Sequence, residues 1–238
     1  GYKDWGAWSL MAQTFAEAGF YFVKFNFSHN GTTVENPKEF GDLEAFGQNN
    51  FSKEMLDYNA VISHFSSVDE VDDSRICIIG HSRGGGISVI EAYEDDRVKA
   101  LVTLAGVSHF GYRFPNQQRL ENWESEGVFY TENKRTGQQM PHYYQFYEDY
   151  KNNEERFNIQ YAAQHLQVPF LIIEAGDDET VKNNESELLH QWAKESDYVK
   201  IEGATHTFGA REPWYSKEMP KELAEATGKI IDFLHEKL

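Results

Sequence analysis

Cys77-Ile78-Ile79-Gly80-His81-Ser82-Arg83-Gly84-Gly85-Gly86 is the stretch whose reading decides the fold. An apolar run ends at Gly80, a serine follows two residues later, and glycines lead into a segment of helical periodicity. This is the G-x-S-x-G pattern between a strand and a helix, where a sharp turn raises the serine hydroxyl above the end of a sheet. Gly80 and Gly84 are expected to be glycine because a Cβ would collide where strand and helix cross so closely. Five residues alone match this pattern often by chance, and a glycine-rich loop with a solvent serine is the plain alternative. The flanking strand and helix give the match its weight.

Working outward, strands and helices alternate on both sides of the turn. Trp8, Met11, Phe15 and Ala18 share one face of an N-terminal helix stopped by Gly19. Residues 20–27 alternate as a strand, with Tyr21, Val23, Phe25 and Phe27 on one side. A polar loop without periodicity spans 28–50, followed by a helix with Met55, Tyr58, Ile62 and Phe65 in one stripe. Arg75 to Ile79 is a buried strand, the helix after Ser82 runs to about Tyr93, and Lys99 to Ala105 is the next buried strand. The alternation resumes with a strand at Val168 to Glu174, a polar loop to Asn183, a helix capped by Asn184, and a last strand at Tyr198 to Ile201. A final helix buries Leu223, Ala226, Ile230 and Phe233. This order predicts an α/β fold with a mostly parallel sheet flanked by helices. Between 107 and 166 the rhythm breaks and large rings mix with polar residues. A structureless loop of that length is improbable in a compact domain, so 107–166 is expected to be a helical cap or lid inserted into a single domain spanning 1–238.

Size and charge exclude several classes. The chain of 238 residues can bury one sizeable core. Its 39 acidic against 22 basic residues, a net charge of −17, disfavour nucleic acid or an anionic membrane as partner. Cys77 is the only cysteine, so no intrachain disulfide can form, which fits a reducing, cytoplasmic setting. No apolar run reaches the length of a membrane span. No metal or cofactor is expected: histidine pairs with ligand spacing are lacking, and Gly84-Gly85-Gly86 has neither a P-loop lysine nor dinucleotide-loop spacing.

A serine hydroxyl is a weak nucleophile at neutral pH and needs a base, which in turn needs an orienting carboxylate. Of nine histidines, His206 in Gly203-Ala204-Thr205-His206-Thr207-Phe208 follows the last strand, at the end of the sheet where Ser82 sits. His64, His190 and His235 fall in helices as surface residues, and His29, His109, His142 and His165 have no positional claim. His81 adjoins the serine but is expected to point elsewhere on the turn. The loop after Leu171-Ile172-Ile173-Glu174 offers Asp177, Asp178 and Glu179 as acids. The backbone N–H of Arg83, next after the serine, is the expected oxyanion donor; its side chain is taken as a surface arginine. The chemistry these groups support is acyl transfer.

Gly80-His81-Ser82-Arg83-Gly84-Gly85, Asp178-Glu179-Thr180-Val181 and Gly203-Ala204-Thr205-His206-Thr207-Phe208 resemble the signature loops of α/β-hydrolases. The nearest resemblance is to dienelactone-hydrolase-like and cinnamoyl (feruloyl) esterase-like enzymes, and it extends to Lys3-Asp4-Trp5-Gly6 and Phe25-Asn26-Phe27-Ser28. It implies an α/β-hydrolase fold and a Ser82-His206-Asp178 triad, with Asp178 preferred over Asp177 because the family's acid opens a D-E-T-V-like segment. It also implies a further strand, ending in a His-Gly-Phe-like motif, between the strand at 20–27 and the one at 75–79. That leads to the expectation that the natural protein has N-terminal strands ahead of Gly1. The expected function is cofactor-free hydrolysis of small-molecule carboxylic esters, aromatic or short-chain, with a homodimer as a possible assembly. A peptidase or acyl-peptide hydrolase on the same machinery, or a non-catalytic binding protein of this fold, are the alternatives.

Overall fold

The structure, a computed structural model, describes the backbone of residues 1–238 and every side chain except that at position 183. In chain order its elements are helices α1 (Trp8–Glu17), α2 (Leu43–Gly47) and α3 (Phe51–Phe65), strand β1 (Ile76–His81), α4 (Arg83–Glu94) and β2 (Val98–Leu104). Then follow α5 (Gln117–Glu126), the strands β3 (Val128–Asn133) and β4 (Gln138–Tyr143), α6 (Gln145–Asn152) and α7 (Ile159–His165). The chain ends with β5 (Phe170–Ala175), α8 (Asn183–Trp192), β6 (Asp197–Ile201) and α9 (Lys221–Lys237). Asparagines start three of the helices: Asn50, Asn116 and Asn158 each accept a backbone N–H of the first turn, from Lys53, Arg119 and Tyr161.

Four strands form one parallel sheet in the order β1-β2-β5-β6. All six residues of β5 are buried, as expected for a strand covered on both faces. Phe170 and Ile172 point into a core built with α3, α4, α7 and α8, while Leu171 and Ile173 point into a second core with α1 and α9. Each such side chain contributes about 1.5–3 kcal/mol on leaving water. Two helical layers therefore sandwich the sheet, and the loops at the carboxyl ends of its strands meet on one rim.

Three expectations need correction. Residues 20–27 alternate as anticipated, with Phe25 against Tyr58 on one side and Phe22 stacked on Phe15 on the other, but they form no strand ladder. β1 is the edge of the sheet, and among the described residues no strand pairs with its free side. The side-chain pattern is there, but a ladder needs a backbone partner. Second, the stretch 107–166 is not wholly helical: β3 and β4 pair as an antiparallel hairpin, closed by a turn in which Gly137 adopts φ +72° and its N–H bonds the Asn133 carbonyl. Third, the cap position of α8 falls two residues earlier than expected, at Lys182, which makes no side-chain cap.

Candidate active site

The turn after β1 is built from close contacts. Ser82 has φ 58° and ψ −125°, a conformation costing about 1–3 kcal/mol in a non-glycine residue. Its N–H bonds the Leu104 carbonyl, and its own carbonyl accepts from Gly85 and Val107, so β2 and the helix start hold the strain in place. A Cβ on Gly80 would lie 2.3 Å from Ser88 Oγ. Gly84, by contrast, has open space around it; the crowded glycines are Gly85, 2.8 Å from the Gly106 Cα, and Gly86. The close crossing falls one and two residues later than the motif suggests.

Ser82, His206 and Asp178, far apart in the chain, meet at this rim. His206 Nε2 is 3.0 Å from Ser82 Oγ and its Nδ1 is 2.8 Å from Asp178 Oδ2. Asp178 Oδ1 accepts the backbone N–H groups of Thr180 (2.7 Å) and Val181 (2.9 Å), so its second oxygen is left to orient the imidazole. The Asp178 side chain is 2% exposed, whereas Asp177 and Glu179 are exposed. Since a carboxylate can only accept, the ring carries a proton on Nδ1, and Nε2 is free to accept from the serine hydroxyl. The Arg83 N–H is the first of α4 and has no carbonyl one turn back to bond.

His81 does not point away. Its Nε2–H donates to the His206 carbonyl at 2.8 Å, and its ring lies 4.8 Å from the His206 ring and 5.4 Å from Trp8. Loss of solvent, aided by His206, pushes its pKa down to about 4, so it is neutral at ordinary pH. The Arg83 side chain is no plain surface arginine either. Its Nη2 donates to Glu54 Oε1 at 2.5 Å, and its guanidinium stands 5.9 Å and 5.6 Å over the rings of Phe51 and Phe146. Glu54 is 1% exposed and also accepts from Asn49. It sits on the apolar stripe of α3 with Phe51, Met55 and Tyr58, and a carboxylate in such a stripe was the available signal that a cation faces it.

A cavity of about 780 Å³ opens above the serine, lined among others by Trp5, Trp8, Phe46, Glu54, His142 and Phe146. The hairpin roofs it. His142 stacks on Phe129, and its ring Nε2 meets Thr131 Oγ1 at 2.9 Å; loss of solvent and the Arg83 charge push its pKa down to about 4. Tyr143 donates to Glu44 on α2 and Gln138 to the Phe40 carbonyl, which ties the hairpin to the loop before α2. Beside the acid loop, Glu185 of α8 accepts from Ser108 N–H (2.9 Å) and Arg113 Nη2 (2.5 Å), fastening the segment after β2 to that helix. His64, His165, His190 and His235 are exposed. Cys77 is a partly buried free thiol whose pKa is pushed up by loss of solvent.

Residues 7–224 match the prolyl oligopeptidase family. The chain belongs to that family. Among curated relatives, the uncharacterized protein PA2218 of Pseudomonas aeruginosa is 28% identical, the match covering 66% of this chain and 42% of that protein. The chain thus spans less than half the length of that relative. Among solved structures, Est1E from Butyrivibrio proteoclasticus with ferulic acid bound aligns over 100% of this prolyl oligopeptidase-family chain and 85% of its own, at 18% identity and a TM-score of 0.70. The monoacylglycerol lipase of Paleococcus ferrophilus aligns over 100% and 92%, at 14% identity and a TM-score of 0.68. Together these show an α/β-hydrolase fold, in line with the resemblance of the three loops. Among the described residues, no helix is long and apolar enough to cross a membrane.

Proposed function

We propose that the protein cleaves carboxylic esters through an acyl-enzyme on Ser82. The observation that carries this is the continuous chain Ser82 Oγ, His206, Asp178, at 3.0 and 2.8 Å, at the rim of an aromatic-lined cavity. Ser82 Oγ bonds to the ester carbonyl carbon while its proton passes to His206 Nε2. The carbonyl oxygen becomes an oxyanion and accepts the Arg83 N–H, a donor of a kind typically worth about 10²–10³ in rate. The intermediate collapses, the C–O bond to the alcohol breaks, and the alcohol leaves with the proton from His206. Water then gives a proton to His206 as its oxygen bonds to the acyl carbon; this second intermediate collapses, the Ser82 Oγ–acyl bond breaks, His206 returns its proton to Oγ, and the acid product leaves. Asp178 stabilises the imidazolium present in both halves. The ring-lined cavity, and the ferulic acid bound to Est1E, favour an aromatic acyl group.

The family match favours a second reading, hydrolysis of peptide amides by the same groups. A p-nitrophenyl acetate burst with wild type and Ser82→Ala tests the mechanism: full activity in the variant refutes it, and absence of a burst in both marks a binding protein. Comparing hydroxycinnamate esters with peptide amides separates the two substrate classes.

A further inference from the structure

His81 has no role in the steps above, yet three observations converge on it. Its ring is packed between Trp8 and His206, with centroids at 5.4 Å and 4.8 Å. Its Nε2 lies 2.8 Å from the His206 carbonyl oxygen. It is the last residue of β1, so this contact ties the strand carrying the nucleophile to the loop carrying the base. Because a carbonyl only accepts, His81 must hold its proton on Nε2, and that donor is a fixed feature of the site.

We infer that His81 is a positioning residue for the general base: as a neutral donor it clamps the His206 peptide and ring at hydrogen-bond distance from Ser82. The inference rests on His206 being the base. The His206 loop needs such a clamp. Two residues on, Phe208 adopts φ +53°, a left-handed conformation that a non-glycine residue enters only under constraint. Neutrality matters as much as geometry. Proton transfer from Ser82 makes His206 an imidazolium, and a positive ring against it would oppose that step. The groups facing His81 are His206, Asp178 and the Gly1 amine, and the ring's low proton affinity keeps it uncharged beside them. A lysine or arginine could supply a donor here, but it would add the charge that a neutral histidine avoids.

Four variants test this on p-nitrophenyl acetate hydrolysis. His81→Met keeps apolar bulk without a donor, and His81→Gln keeps an N–H donor at similar reach. Met is expected to lower kcat by about 10- to 100-fold, the scale of a misplacement of about 1 Å, with KM moving less than about twofold and with the rate substantially recovered in Gln. Equal kcat in Met and wild type, or equal losses in Met and Gln, overturns the inference. Ser82→Ala and His206→Ala report separately: activity surviving in either refutes the proposed mechanism itself, not just the role of His81. Independently of rate, ¹⁵N NMR of the histidine rings should show one neutral Nε2–H tautomer that disappears in His81→Gln and persists on acidification to about pH 5. An Nδ1–H tautomer for His81 is incompatible with the clamp.

Discussion

A methyl group on Gly80 would meet Ser88 Oγ at 2.3 Å and the Gly84 carbonyl oxygen at 2.4 Å, whereas the same group on Gly84 meets nothing within 4 Å. Gly80→Ala should therefore lower stability by about 3 kcal/mol or more, since backbone cannot yield as a flexible side chain can. Gly84→Ala should stay within about 1 kcal/mol of wild type, because alanine suits a helix better than glycine. Urea midpoints of the two variants check this. At the acid, Asp178→Asn should cost about 10³–10⁴ in kcat by upsetting the tautomer of His206, while Asp177→Asn, at an exposed carboxylate, should leave kcat near wild type; steady-state kinetics decide. The residue scale also shows what local sequence carries. Ser82 and His206 are legible because each lies on a short loop whose place follows from the strand before it; that order leaves Asp177, Asp178 and Glu179 open, and only the resemblance of the D-E-T-V segment favours Asp178. The contact of His81 is not legible, since its partner lies 125 residues away; for Glu54 the stripe of α3 signals a facing cation, but not that it is Arg83, 29 residues on.

Helix α4, which follows Ser82, presents Arg83 at one end and Glu91 near the other. Glu91 is 3% exposed. Loss of solvent, with Asp95 and Glu94 adding to it, pushes its pKa from 4.5 up to about 7, against a smaller opposing pull from Arg156 and Arg97. The folded state thus holds this proton more tightly than the unfolded chain. The associated stability is complete below pH 4.5 and is lost as the pH rises through about 7, to the extent of about 3 kcal/mol. Glu91→Gln keeps the shape and removes the titration. Its stability relative to wild type should improve between about pH 5 and about pH 8, and urea unfolding at both values measures the difference. At the level of elements, sequence and structure part at 20–27 and within 107–166. Alternation at 20–27 reports which side chains face which core, but ladder formation depends on a neighbour elsewhere in the chain. At 128–143 the antiparallel pairing rests on the turn around Gly137, in a stretch whose rings mask the strand period.

Across the whole molecule the net charge is −17, and the proposed substrate would approach the cavity through the field of that charge. That field disfavours anionic substrates in solution and weakens with salt. With a neutral ester such as p-nitrophenyl butyrate, kcat/KM should be nearly independent of salt. With the p-nitrophenyl half-ester of glutaric acid it should rise between about 0.02 and about 0.5 M NaCl. A salt-independent rate for both would mean that the charge lies away from the approach to the site. The α/β layering and the three loops of the site followed from the sequence by itself, because apolar periodicity and strand-to-loop order are properties of neighbouring residues. Only the tertiary structure decided the clamp on His206, the Glu54–Arg83 pair, the hairpin roof and the unpaired state of 20–27. Each of these depends on groups brought together by packing, and the energy of a contact appears only when both partners are in place.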